Sequence, residues 1–119
     1  MKITESDDMP PIDLVALGKM LGDDPALVQM ILGKFRAEIA GDIAALGDLA
    51  ASGDPEPIRA LAHRLKGTCS HAQAMPISNV AEILQTAMAA GDISLGPGLI
   101  NALQLERESF EKYLVDKGL

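Results

Sequence analysis

The sequence predicts an all-α fold: an antiparallel four-helix bundle with an additional short N-terminal helix. Three observations predict it. Apolar residues recur at i, i+3, i+4 and i+7 along four separate stretches, the period of a helix with one buried face. Proline and glycine punctuate the gaps between those stretches. No stretch alternates apolar and polar residues as a half-buried strand would. The chain has 119 residues, 48% of them hydrophobic but only 3% aromatic, so its core must be built from Leu, Ile, Val, Met and Ala. That is one domain's length and a composition that favours helices.

Residues 1–11 are mostly polar and end in Pro10-Pro11, and read as a flexible N-terminal arm; residues 12–119 read as the bundle. Asp13 can cap a short helix carrying Leu14, Leu17 and Leu21 on one face, with Gly22 ending it. Asp24-Pro25 restarts the chain, because aspartate caps and proline fits the first helical position. The next stripe is Val28, Ile31, Leu32, Phe35, Ile39, Ile43, Leu46 and Leu49. It predicts a helix of about 38 Å. Gly33, Gly41 and Gly47 interrupt it, each costing about 1 kcal/mol relative to alanine, and the simplest expectation is local close packing or a bend.

Ser52-Gly53 ends this helix and Asp54-Pro55 opens another, with the stripe Ile58, Leu61, Ala62, Leu65, Cys69 and Ala72. Met75-Pro76 marks the following boundary, ahead of Ile77, Val80, Ala81, Leu84, Ala87 and Met88. Gly91 stops that helix, and Gly96-Pro97-Gly98 reads as a loop. A last helix carries Leu99, Leu103, Phe110, Tyr113 and Leu114, with Glu106 a polar exception on the same side. Met20, Met30, Met75 and Met88 are expected as gap-filling core or boundary residues. The short first helix is expected across one end of the bundle.

Composition excludes several classes. The net charge is −7, which argues against a nucleic-acid binder. One cysteine, Cys69, permits neither an internal disulfide nor a multi-cysteine zinc site. No secretory signal and no run of about 20 apolar residues is present, so a cytoplasmic location without a membrane partner is expected.

The chemistry concentrates on "AHRLKGTCSHAQA", Ala62 to Ala74. At 100° per residue, His63 lies roughly 140° from the centre of its helix's apolar stripe, so it should point outward. Arg64 is its neighbour, Arg59, Lys66 and Ser70 flank the same outer face, and Gly67 lies one turn further on. A free imidazole has a pKa of about 6.5, so it is largely neutral and nucleophilic at pH 7. Lys66, at i+3, can reach a phosphoryl group on that ring. Gly67 leaves the space above it clear. Folding the chain about Ala74 brings Gln85 to the height of His63, where its amide could orient the ring or a phosphoryl oxygen. Folding about Ser52 brings Gly41 to that height, so two glycines would frame an open docking platform. His71 is two turns from His63, about 12 Å, too far to share a metal ion, and reads as a surface residue. Cys69 falls on the inward stripe and reads as a buried structural thiol. No intrinsic metal or cofactor site is expected.

These residues resemble the histidine-containing phosphotransfer (HPt) domain family. The matching core is "AHRLKGT", Ala62 to Thr68. Looser similarity runs through "GDDPALVQMILGKF", "AASGDPEPIRALAH" and "LQTAMAAGD", about residues 12–115 in all. The resemblance implies that His63 is phosphorylated, and that Lys66, Gly67 and Gln85 fall on positions the family uses for support and access. It implies response-regulator receiver domains as partners, an upstream hybrid sensor kinase, and magnesium supplied by the receiver. The family often has glycine where this chain has Gln73, which puts the local packing there in question.

Three functions compete. A phosphorelay carrier would pass phosphate between aspartate-bearing receivers without ATP-dependent kinase activity of its own. A non-catalytic helical adaptor would bind a receiver without transfer, and would be indifferent to His63→Gln. A sensor-kinase dimerisation domain would need a nucleotide-binding domain, and no glycine-rich phosphate loop occurs. It would also build its bundle from two chains, where one suffices here, so a monomer is expected. The carrier fits best. An apolar rim around His63 is expected to dominate docking, with Arg59, Arg64 and Lys66 steering it.

Overall fold

A computed structural model of the chain describes residues 9–119, so most of the predicted arm, residues 1–8, lies outside the described residues. Five α-helices follow: α1 (Leu14–Met20), α2 (Pro25–Ala50), α3 (Pro55–His71), α4 (Met75–Ala89) and α5 (Gly96–Asp116), with one 3-10 turn, Ile93–Leu95, before the last. No strand occurs among the described residues.

The predicted caps form. Asp13 accepts from the Ala16 N–H at 3.0 Å, Asp24 from Ala26 at 3.0 Å, and Asp54 from Glu56 at 3.1 Å. Each satisfies a donor that the first helical turn leaves without an intrahelical partner. Helices α2 to α5 form the bundle, with α3 and α4 the most closely packed pair. Small residues on that seam, Ala62, Ala72, Ala74 and Ala81, are all fully buried. The buried Ser78 hydroxyl of α4 donates to the Lys66 carbonyl of α3 at 3.1 Å. The stripes supply the core: Leu17, Leu32, Ile39, Leu46, Ile58, Leu65, Ile77, Leu84, Leu103, Phe110 and Leu114 are essentially inaccessible. Burying one such side chain contributes roughly 1.5–3 kcal/mol.

Helix α1 caps the end of the bundle at the α3–α4 turn. The Asp13 N–H donates to the Gln73 carbonyl at 2.9 Å, and Ile12 and Leu17 are fully buried there. At the same turn Gln73 adopts φ +66°, and the Ala74 and Gln73 N–H groups close onto Cys69 and Ser70. This is a Schellman termination of α3 whose left-handed position ordinarily takes glycine.

Three expectations are corrected. Gly96-Pro97-Gly98 is not a loop but the first turn of α5; proline suits the first turn, where its missing N–H leaves nothing unpaired. Of Met20, Met30, Met75 and Met88, Met88 is core and Met75, 37% exposed, lies at the boundary; Met20 and Met30 are exposed, because neither falls on its helix's buried stripe. Gly33 and Gly41 do not mark close packing, since a Cβ at either would meet no described atom within 4 Å.

Candidate functional site

Helix α3 turns His63 outward, as its phase predicts, and the ring is exposed. The stripe residues Ala62 and Leu65, which anchor the opposite face, are fully buried. No hydrogen bond holds the imidazole among the described residues. The space over the next turn is open: a Cβ on Gly67 would meet nothing within 4 Å.

The neighbouring helices bring the other residues into place. Lys66 Nζ lies 3.5 Å from Glu82 Oε2 across the α3–α4 seam. This pair fixes the register that folding about Ala74 predicts. Three residues back along α3 from Lys66 is His63; three residues on along α4 from Glu82 is Gln85. Residues three apart share a helix face, so Gln85 stands at the height of His63. The Gln85 Oε1 atom is buried and has no hydrogen-bond partner among the described residues. A buried carbonyl without a donor costs about 1–3 kcal/mol, so this amide keeps an acceptor in hand at that height.

On the other side Arg64 reaches Asp42 of α2, with Nη2 hydrogen-bonded to Oδ1. Asp42 is only 4% exposed, and the hydrogen bond that Arg64 donates to it raises the Arg64 pKa further above its ordinary value. The pair places Gly41, next to Asp42, at the level of His63. Gly41 is exposed with open space around it. On α2 the exposed residues near that level include Ala37, Glu38, Gly41 and Ala44; on α3 they include Ala60, His63, Arg64 and Ser70.

The cations are not free. Arg59 holds Glu56 through two hydrogen bonds of 2.9 and 2.7 Å, which raise its pKa and lower that of Glu56. With Arg64 on Asp42 and Lys66 on Glu82, each cation of the expected steering face meets a carboxylate. The field is therefore that of local dipoles rather than a basic patch, and free-charge steering by these three residues is revised accordingly. Helix α3 itself exposes no large apolar side chain among the described residues; the neighbouring α4 exposes Ile83. Sequence reading missed Asp42 and Glu82 as ion-pair partners. The fold about Ala74 already set Glu82 opposite Lys66, and Asp42 lies three residues from Ile39, on the inward side.

Cys69 and His71 take the structural roles expected. Cys69 is fully buried, and burial, reinforced by the charges of Asp42 and Glu38, pushes its thiol up to about 12. His71 Nδ1 lies 2.8 Å from the Gly67 carbonyl; a carbonyl only accepts, so that nitrogen carries the proton. No group of three or more His, Cys, Asp or Glu side chains among the described residues is arranged to hold a metal ion. The 510 Å³ groove lined by Pro11, Pro76, Val80 and Glu106 contains none of the site residues. The His63 ring is thus exposed and outside that groove, an arrangement that suits a protein visitor better than a small molecule needing enclosure.

Comparison with known proteins agrees with this geometry. The family model of the Hpt domain matches residues 30–112. Among solved structures, the chain is similar to histidine-containing phosphotransfer protein B from Pseudomonas aeruginosa PAO1. The TM-score is 0.81 at 19% identity, over 92% of this chain and 96% of that one. No curated protein matches.

Proposed function

The chain belongs to the Hpt domain family, the histidine phosphotransfer domains of two-component phosphorelays, and on that premise we propose that His63 carries the phosphoryl group. The observation that supports this reading best is an exposed imidazole beside a bare glycine, with an unpaired amide and a lysine at its level.

The family's partners are receiver domains. In the proposed step, the His63 Nε2 lone pair attacks the phosphorus of a receiver's aspartyl phosphate. The Nε2–P bond forms, the P–O bond breaks, and its electron pair returns to the aspartate carboxylate. The ring must present Nε2 unprotonated, with its proton on Nδ1. Gln85 orients the ring or a phosphoryl oxygen through its amide, and Lys66 offsets charge on the phosphoryl oxygens. Such transfer needs positioning and charge stabilisation more than further covalent chemistry.

Magnesium would come with the receiver. Glu82, Asp42 and Glu56 are each paired with a cation of this face, and a magnesium site needs several oxygen ligands free to bind. Gly41, Gly67 and Ser70 form the platform on which the receiver rests, and Arg59 and Arg64 shape its edge from within their ion pairs. A hybrid sensor kinase is the proposed upstream source. The carrier acts as a monomer in the cytoplasm; no described helix is long and apolar enough to cross a membrane. It has no ATP-dependent kinase activity of its own.

The test is to mix the purified protein with phosphorus-labelled receivers. Label should move to the wild type and not to His63→Gln. A wild type that binds receivers but takes no label would instead support the adaptor.

A further inference from the structure

Lys66 is not waiting in solvent for a phosphoryl group: at rest its ammonium lies against Glu82. Both side chains are substantially exposed, 38% for Lys66 and 58% for Glu82, so the contact can open without burying or uncovering a charge. We infer that Glu82 is a positioning residue that holds Lys66 away from His63 and so sets how strongly the site retains phosphate. The inference rests on the reading of His63 as the phosphoryl-bearing residue.

The geometry makes the two partners competitors. His63 and Glu82 stand on either side of Lys66, one a turn back along α3 and the other across the seam on α4. The ammonium is a compact charge on a flexible four-carbon stem, able to swing between acceptors. Unphosphorylated His63 offers no anion, and the lysine rests on Glu82. A phosphoryl group on Nε2 adds an anion at the neighbouring turn, and Lys66 can then leave Glu82 for it. Breaking the resting pair is part of the free energy of loading. A carrier must both accept and release its cargo, so a lysine wholly committed to phosphate would favour retention. Glu82 weakens that retention.

The test needs no cognate partner. Phosphoramidate donates its phosphoryl group to imidazole: its P–N bond breaks, ammonia leaves, and Nε2–P forms. At fixed phosphoramidate and ammonia concentrations, phosphorus NMR reads the ratio of phosphohistidine to free histidine. Glu82→Gln is expected to raise the ratio at His63 about two- to five-fold, the range of an exposed ion pair. The gain is expected to vanish in a Lys66→Met background, because Glu82 acts through the lysine. Thermal unfolding of each variant confirms that the fold is retained. An unchanged ratio in Glu82→Gln overturns the inference, and so does a gain that survives Lys66→Met, which would mean direct repulsion of phosphate by Glu82. A phosphohistidine signal that persists in His63→Gln and is absent from His63 overturns the site assignment itself, a separate failure.

Discussion

At the residue scale, the same geometry that serves chemistry costs stability. Gln85 buries a carbonyl oxygen with nothing to donate to it. Gln85→Leu should leave thermal stability unchanged or raise it by about 1 kcal/mol, because the desolvated acceptor is gone, while phosphotransfer slows. Thermal melts and label-transfer rates on one preparation check both halves. Lower stability would mean that the amide is satisfied in solution.

Cys69 gives a pH signature. Its folded thiol is pushed up to about 12 by burial, against an ordinary value of about 8.5 in an unfolded chain. The folded state therefore binds its proton more tightly. The stability this contributes is present below the unfolded value and is lost as pH rises from there toward the folded one. Urea unfolding between pH 8 and 11 should show stability falling, by up to about 1.4 kcal/mol per pH unit from this group. The slope should be shallower in Cys69→Ala.

The outward face of His63 and the open space at Gly67 were legible at this scale, because helical phase decides which face a side chain occupies. The ion-pair partners were not. A charge's partner depends on rotamers and interhelical distance, and periodicity carries neither, so Arg59, Arg64 and Lys66 read as a free basic face.

At the element scale, apolar stripes predicted every helix, and the aspartate caps of α1, α2 and α3 agree with those observed, whereas α4 and α5 begin without a side-chain cap. Gly96-Pro97-Gly98 was misread because glycine and proline mark both loops and first turns. Gln73 is the reverse case, a left-handed residue that no local composition betrays. Gln73→Gly should stabilise the protein by about 0.5–1 kcal/mol, the relief of a strained non-glycine offset by added unfolded-state freedom and by loss of its contact with Met20. A fall in melting temperature would show that contact to be the stronger effect.

Helix α2 offers a second test at this scale. Gly33 and Gly41 both face open space, so alanine at either should stabilise by about 1 kcal/mol. They lie about 12 Å apart along the helix, and only Gly41 is level with His63. Gly41→Phe should fold and slow transfer; Gly33→Phe should fold and leave transfer alone. Equal transfer in the two would remove Gly41 from the docking platform.

At the scale of the whole molecule, one chain closes its own bundle, and the His63 ring sits on the outside of it. The overall architecture was legible because four amphipathic stretches with short connections have few ways to bury their stripes. What lies above His63 was less so. The expected apolar rim finds no large apolar side chain exposed on α3 itself, and the expected basic patch is a set of ion pairs. Shape and access, more than charge, are what this face offers a receiver.

The central claim is that His63 ferries phosphate. The most direct measurement loads the chain from a labelled phospho-receiver, digests it, and locates the label by mass spectrometry under alkaline conditions that preserve phosphohistidine. The account predicts one labelled peptide, containing His63, and return of the label to a fresh receiver. Label on His71 or on no histidine, with His63 unmodified, would contradict it.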